Sequence, residues 1–302
     1  MKKIIIYGGK KLHGSISVSG SKNSSLAILA SSMLFEKKVV LKNIPIVEDI
    51  KTMIKLLIYL GKNIKVKKKT IEITNSKKFG KSFIAPYELV KTMRAGILVL
   101  GPLISKFKKA KVSLPGGCAI GARPIDLHLK FLKSIGVRNH IDKGYVISKL
   151  NNIKKKNIYR FQKISVGATI NSILASCLIP NKIILNNIAI EPEIIDLIKF
   201  LKKAGVKIKF LSNRKIEILG KKNLNQISYE IMPDRIEAGT YMIASAITNS
   251  KLTIKKLNIN HIQNTINYLT KANIKVKKID KNSVQILPGK IKSVSFKTSP
   301  YP

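Results

Sequence analysis

A unit of about 70 residues recurs four times along this 302-residue chain, and a unit that small cannot bury its apolar faces without packing on its neighbours. The copies are visible as VVLKNIPIVEDIKTMIKLLIYLG from Val39, VSLPGGCAIGARPIDLHLKFLKSIG from Val112, IILNNIAIEPEIIDLIKFLKKAG from Ile183 and LTIKKLNINHIQNTINYLTKAN from Leu252. Each reads as a β-rich strand, a turn, an amphipathic helix with apolar residues three and four apart, and a Gly or Asn stop. Two short alternating strands follow, as in NIKVKKKTIEI and VKIKFLSNRKIEIL. Upstream of each copy lies another strand and a more apolar helix: SKNSSLAILASSML, ELVKTMRAGILVLGPLI, GATINSILASCLI and DRIEAGTYMIASAI. The unit is therefore βαβαββ and the fold class α/β. Helices apolar nearly all round belong in an interior, so the upstream helices are expected inside, with the amphipathic ones covering a sheet from outside. The closing VSFKTSPYP resembles the first strand of a fifth unit.

The longest nearly unbroken apolar stretch, Ala95 to Ile104, is far short of the roughly 20 residues that cross a bilayer, and the basic start MKKIIIYGGKK lacks a secretory apolar core. A cytoplasmic protein with no membrane partner is expected. Cys118 and Cys177 form neither a disulfide framework nor a metal knuckle. A net charge of +42 raises the question of nucleic acid. The lysines are spread over the whole chain and accompany abundant Ile and Asn, the residues of A- and T-rich codons. Base composition explains such a pattern, and no specific nucleic-acid partner is expected. The positive field would still steer small anions toward the protein.

Polar or basic residues gather where the upstream helices begin, at Ser21-Lys22-Asn23, Thr92-Met93-Arg94, Ser165-Val166-Gly167 and Asp234-Arg235. Free backbone N–H groups and the helix dipole favour anions there. Simple N-capping explains Ser21 and Asp234 equally well. Arginine is more informative, because only six of the 57 basic residues are Arg and composition drives basic positions toward Lys. Arg94 and Arg123 point to bidentate binding of phosphate or carboxylate, and Arg235, beside Asp234 and Glu237, to structure. The stretch PGGCAIGARP, Pro115 to Pro124, replaces an ordinary strand-to-helix turn with a loop suited to a lid. Cys118 within it, near backbone amides and Arg123, is a candidate acid or nucleophile; the bland alternative is a glycine turn with an incidental cysteine. Cys177 reads as core, His128 as a packed histidine, and Glu191 and Glu193 as helix-start acids. No cluster has metal-ligand spacing, and neither a Walker loop nor a GxGxxG fingerprint is present.

Taken with SGSKNSS, PYELVKTMRAGILVLGPL, KISVGAT, EPEI and PDRIEAGT, the PGGCAIGARPIDLH stretch closely resembles the UDP-N-acetylglucosamine 1-carboxyvinyltransferases, in family order from Ser19 to Thr240. The resemblance implies two inside-out α/β barrel domains of three units each: residues 21–232, with the cysteine lid at 114–124, and a partial second domain of 1–20 with 233–302. It implies transfer of the enolpyruvyl group of phosphoenolpyruvate to the 3-hydroxyl of UDP-N-acetylglucosamine with release of phosphate, the first committed step of peptidoglycan synthesis, with no cofactor or metal. It makes Cys118 the proton donor and gives Lys22 and Arg123 the phosphoenolpyruvate. Asn23, Arg94, Arg123, Pro124, Ile125, Asp126, Leu127, Lys163, Ile164, Ser165 and Val166 would hold the UDP-sugar between the domains.

Family members continue past the equivalent of Pro302 into a segment with an aspartate base and a further arginine. The expectation is thus a C-terminally truncated chain, with three outcomes open: activity, an inactive remnant that binds UDP-sugar, or complementation by a separately encoded C-terminal fragment. A basic nucleic-acid-binding protein is the remaining reading.

Overall fold

Four copies of one element order account for the described residues, which in this computed structural model are 3–116, 124–153 and 157–301. The first copy runs β1 (His13–Ser17), α1 (Lys22–Ser31), β2 (Val39–Lys42), α2 (Glu48–Tyr59), β3 (Lys62–Lys67) and β4 (Thr70–Asn75). The second runs β5 (Ile84–Ala85), α3 (Tyr87–Val90), a 3-10 turn (Arg94–Val99), α4 (Leu100–Phe107), β6 (Lys109–Ser113), α5 (Asp126–Ser134), β7 (Val137–Asp142) and β8 (Tyr145–Leu150). The third is β9 (Asn157–Arg160), α6 (Val166–Ser176), β10 (Lys182–Asn186), α7 (Pro192–Lys203), β11 (Lys207–Ser212) and β12 (Lys215–Leu219). The fourth is β13 (Ile227–Glu230), α8 (Arg235–Ile247), β14 (Lys251–Lys255), α9 (Gln263–Lys271), β15 (Val276–Asp280) and β16 (Ser283–Ile286).

Each copy contributes to a four-stranded sheet of one pattern, seen in the orders β5-β6-β8-β7 and β9-β10-β12-β11. The opening strand lies parallel to the second strand of its unit, and the closing hairpin completes the sheet with antiparallel pairs. The first and fourth copies exchange their opening strands. β1 pairs with β14, from His13 opposite Lys251 to Ser17 opposite Lys255, while β13 pairs with β2, from Ile227 opposite Val39 to Glu230 opposite Lys42. A turn hydrogen bond repeats across this exchange. Asn43 and Asn187, both at φ 59°, follow the second strands of their sheets, and their side-chain amides donate to Ile231 O (3.0 Å) and Phe161 O (2.9 Å), just past the ends of β13 and β9. Asparagine tolerates this left-handed geometry better than most residues.

Two compact units result, one of residues 3–21 and 233–298 and the other of the described residues of 22–232 with 299–301. In the larger unit Ser24 to Ser31 of α1, Leu100 to Ser105 of α4 and Ala168 to Ser176 of α6 are buried, so these helices form its interior. The amphipathic helices lie alongside them rather than outside the sheets, as α2 and α7 do on α1 and α5 on α6. The sheets themselves form the outer layer: Val39, Leu41, Ile71 and Ile73 point inward, while Lys42, Lys65 and Thr74 are exposed. This corrects the expectation of an amphipathic outer cover. Its physical basis is that each sheet buries one face only, as antiparallel pairing permits. In the smaller unit α8 is unlike its counterparts, for Ile236, Ile243 and Ile247 on one side are 51%, 49% and 68% exposed.

The single apolar helix expected over 88–104 is broken instead. Met93 is extended (φ −144°, ψ 117°), the 3-10 turn follows, and α4 starts only at Leu100. Gly96 approaches Val90 so closely that a Cβ would lie 3.0 Å from its Cγ1. Gly101 is demanded by helix contact: a Cβ there would fall 2.4 Å from Asn171 O on α6. Arg94 therefore opens a 3-10 turn rather than an α-helix.

Candidate active site

Three chain segments meet around His128 in the larger unit. His128 lies in the first turn of α5, 6% exposed, and a Cβ on Gly167, in the first turn of α6, would come within 3.3 Å of its Cε1 and Nε2. Burial first, and then the Arg94 guanidinium, push the imidazole pKa down to about 4, against an opposing pull from Asp126. Arg94, Asp126 and the start of α6 thus share one neighbourhood. The His128 tautomer follows from Asn171, in the middle of α6. Its Oδ1 accepts from Gly101 N (2.8 Å), and its Nδ2 donates to Ile97 O (3.0 Å) and to His128 Nδ1 (2.8 Å). With Nδ1 accepting, the proton sits on Nε2 and the ring is neutral.

The expected binding residues divide by what holds them. Ser165 caps α6, its hydroxyl accepting from Ala168 N at 3.3 Å, and Val166 behind it is 38% exposed. Lys163 is exposed and Ile164 half-buried just before the cap. On the α5 side Pro124 and Asp126 are exposed, Leu127 half-buried and Ile125 buried. Arg94 is exposed at the start of its 3-10 turn. Lys22 and Asn23 open α1; Lys22 Nζ meets Asp49 Oδ2 at 3.0 Å with both side chains half exposed, and Asn23 is exposed. Cys118 and Arg123 lie outside the described residues. The stem of their loop is described as far as Gly116, where a Cβ would collide with Lys91 O at 1.6 Å, so only glycine brings the stem this close to the segment leading to Arg94. A cleft of about 390 Å³ at this stem is lined by Tyr87, Leu114, Pro115, Gly116 and Tyr145 among others.

Cys177, read as core in the sequence, and Asp234, for which capping and anion binding were both open, are structural in the fold. Cys177 is fully buried, its thiol donates to Ile173 O at 3.2 Å, and burial pushes its pKa up. Asp234 caps α8, accepting from Ile236 N (2.8 Å) and Glu237 N (3.0 Å). Others escaped sequence reasoning. Asp196 on α7, 6% exposed, accepts from Ser24 Oγ (2.5 Å), Tyr229 Oη (2.6 Å) and Met232 N (3.4 Å). It thereby ties together the two stretches at which the chain enters and leaves the larger unit. Glu191, read as a helix-start acid, stands at the N-cap of α7, but the sequence did not disclose that its Oε2 is buried with no hydrogen-bond partner. Asn171 had one visible signal, a carboxamide in the middle of an otherwise apolar helix. Among the described residues no group of three or more His, Cys, Asp or Glu could hold a metal ion, and no helix is long and apolar enough to cross a membrane.

The fold is shared with solved enolpyruvyl transferases. An enolpyruvyl transferase, NikO, from Streptomyces tendae superposes with a TM-score of 0.80 at 18% identity, covering 94% of this chain and 67% of that one. EPSP synthase from Acinetobacter baumannii gives 0.71 at 16% identity, covering 93% and 65%. The sequence family described as EPSP synthase (3-phosphoshikimate 1-carboxyvinyltransferase) matches residues 6–302. The UDP-N-acetylglucosamine 1-carboxyvinyltransferase of Pelagibacter ubique (strain HTCC1062) is 51% identical over 304 residues, spanning all of this chain and 72% of the relative. That of Rickettsia prowazekii (strain Madrid E) is 46% identical over 306 residues with the same coverage. The chain belongs to the UDP-N-acetylglucosamine 1-carboxyvinyltransferase family.

Proposed function

We propose that this chain transfers the enolpyruvyl group of phosphoenolpyruvate to the 3-hydroxyl of UDP-N-acetylglucosamine, releasing phosphate, in peptidoglycan synthesis. The sugar oxygen attacks C2 of the enol as its hydroxyl proton passes to solvent, while a proton from the Cys118 thiol reaches C3, turning the methylene into a methyl group. Phosphate then leaves from C2 as a methyl proton returns to the Cys118 thiolate, and the enol ether results. Lys22 and Arg123 bind the phosphate and carboxylate of phosphoenolpyruvate and offset the charge that develops at C2. Asn23, Arg94, Arg123, Pro124 to Leu127 and Lys163 to Val166 hold the UDP-sugar, in part through the free amides at the starts of α5 and α6. Lys22 is half exposed beside Asp49, where an incoming anion can reach its ammonium. The observation that carries the reading is the convergence of Arg94, Asp126 and the capped start of α6 around the neutral His128.

The test is phosphate release by the purified chain given both substrates, with Cys118→Ser as the control and calorimetric titration of UDP-N-acetylglucosamine beside it. Cys118-dependent release is the expected result, and the absence of both release and binding would refute the proposal. We further propose as partner a separately made polypeptide carrying the rest of the relatives' length. Added to the assay it should raise the rate, and no gain counts against it. UDP-sugar binding without release under either condition would reduce the function of these residues to binding.

A further inference from the structure

We infer that Asn171, acting through His128, is a positioning residue that sets the mutual placement of the three segments offered to the UDP-sugar. The inference rests on the binding role proposed for those segments and adds a residue that touches none of the substrate itself. The three hydrogen bonds of the Asn171 carboxamide go to three different pieces of chain. Ile97 O is in the 3-10 turn that Arg94 opens, Gly101 N is in the first turn of α4, and His128 Nδ1 is two residues beyond Asp126 on α5. Asn171 itself stands on α6, one turn beyond Gly167 and its capping Ser165. Its side chain is 1% exposed, so water cannot replace a lost partner without opening the interior.

The arrangement fixes orientation as well as distance. Gly101 N can only donate and Ile97 O can only accept, so the carboxamide cannot flip without breaking both contacts. That leaves Nδ2 facing His128 Nδ1, which therefore accepts. A protonated imidazole would set donor against donor at 2.8 Å. On the opposite side of the ring a Cβ on Gly167 would come within 3.3 Å of Cε1 and Nε2, so a side chain there would crowd the imidazole. His128 is thus held between Asn171 and the first turn of α6, and a shift of either moves Asp126 relative to Ser165 and Val166. A rigid network of this kind keeps binding groups at their working separations, and small misplacements at a distance weaken function strongly.

The experiment is calorimetric titration of UDP-N-acetylglucosamine into the full chain and its variants, well below each variant's unfolding midpoint. Asn171→Leu, close in size, removes all three contacts and is expected to weaken binding about tenfold or more. His128→Asn, whose side-chain oxygen can stand where Nδ1 accepts, should bind more tightly than His128→Phe, which fills the space without an acceptor. If Asn171→Leu does not fold, the His128 pair decides alone. A Kd within about twofold of wild type for Asn171→Leu or His128→Phe, in protein that circular dichroism shows folded, overturns the inference even if the midpoint has fallen, because Asn171 then serves stability only. Absence of binding by wild type would instead remove the proposed function, and this inference with it.

Discussion

Replacing Asp196 tests whether burial or hydrogen bonding governs the carboxylate that joins α1, α7 and the end of β13. Three donors reach it: the Ser24 and Tyr229 hydroxyls at 2.5 and 2.6 Å and Met232 N at 3.4 Å. Hydrogen bonds to a charged group are worth about 1.5–3 kcal/mol each, the long one least, and relief of the buried charge offsets part of their loss. Asp196→Ala should therefore destabilise the larger unit by about 3 kcal/mol, lowering its midpoint by about 6–12 °C at the 2–4 °C per kcal/mol expected for this size. Asp196→Asn keeps an acceptor and should cost about 1 kcal/mol at neutral pH. Burial is the largest influence on the Asp196 pKa and raises it, against the Ser24, Tyr229 and Met232 hydrogen bonds and Lys199, which lower it. A carboxyl raised in the folded state gives a contribution that is full below the unfolded value of about 3.9 and is lost as pH rises through the folded value. Urea melts of wild type and Asp196→Asn across the acid range should then show the wild-type advantage shrinking toward neutrality. An advantage that grows with pH would mean that the three hydrogen bonds outweigh burial, and the reasoning fails.

Three further outcomes can be checked. Lys62 is 3% exposed, donates to Phe35 O (2.9 Å) and Asn75 Oδ1 (2.6 Å), and lies over the Phe79 ring; burial pushes its pKa down to about 7. The unfolded chain then binds more protons between about pH 7 and 10.4, so stability should rise over that window by up to about 5 kcal/mol from this group, and Lys62→Met should flatten the rise in denaturant melts; equal slopes refute it. Gly101→Ala forces α4 from α6 and breaks the Gly101–Asn171 bond, which should cost about 3 kcal/mol in the same melts, whereas Gly289→Ala, with 3.1 Å to Asn273 O, should cost clearly less. Cys177 should stay unmodified by a thiol reagent in the folded protein and react only in denaturant, as peptide mapping would show, because its sulfur is buried and its thiolate disfavoured.

What the sequence disclosed was local. Strand alternation and three- and four-residue helical spacing located every β-hairpin and the four amphipathic helices, because each pattern fits within one element. Arg94 was singled out by its residue type, but the break before it at Met93 was not, since it follows from the approach of Gly96 to Val90 and of Gly101 to α6. The Ser24–Asp196 contact joins residues 172 apart, and the Asn171–His128 contact residues 43 apart, distances over which no periodicity speaks. His128 was read as a packed histidine, and packed it is; what it packs against came only with the fold.

The exchange of β1 and β13 also sets an order of events at the ribosome. β2 ends at Lys42, yet its parallel partner β13 starts at Ile227, so roughly 180 residues must be added before that edge is paired. At about 5–20 residues per second the wait is roughly 10–40 s, during which β2 offers unpaired backbone to any passing strand. The nascent chain carries that open edge until Ile227 emerges, and throughout the interval β2 is exposed to aggregation and to chaperones.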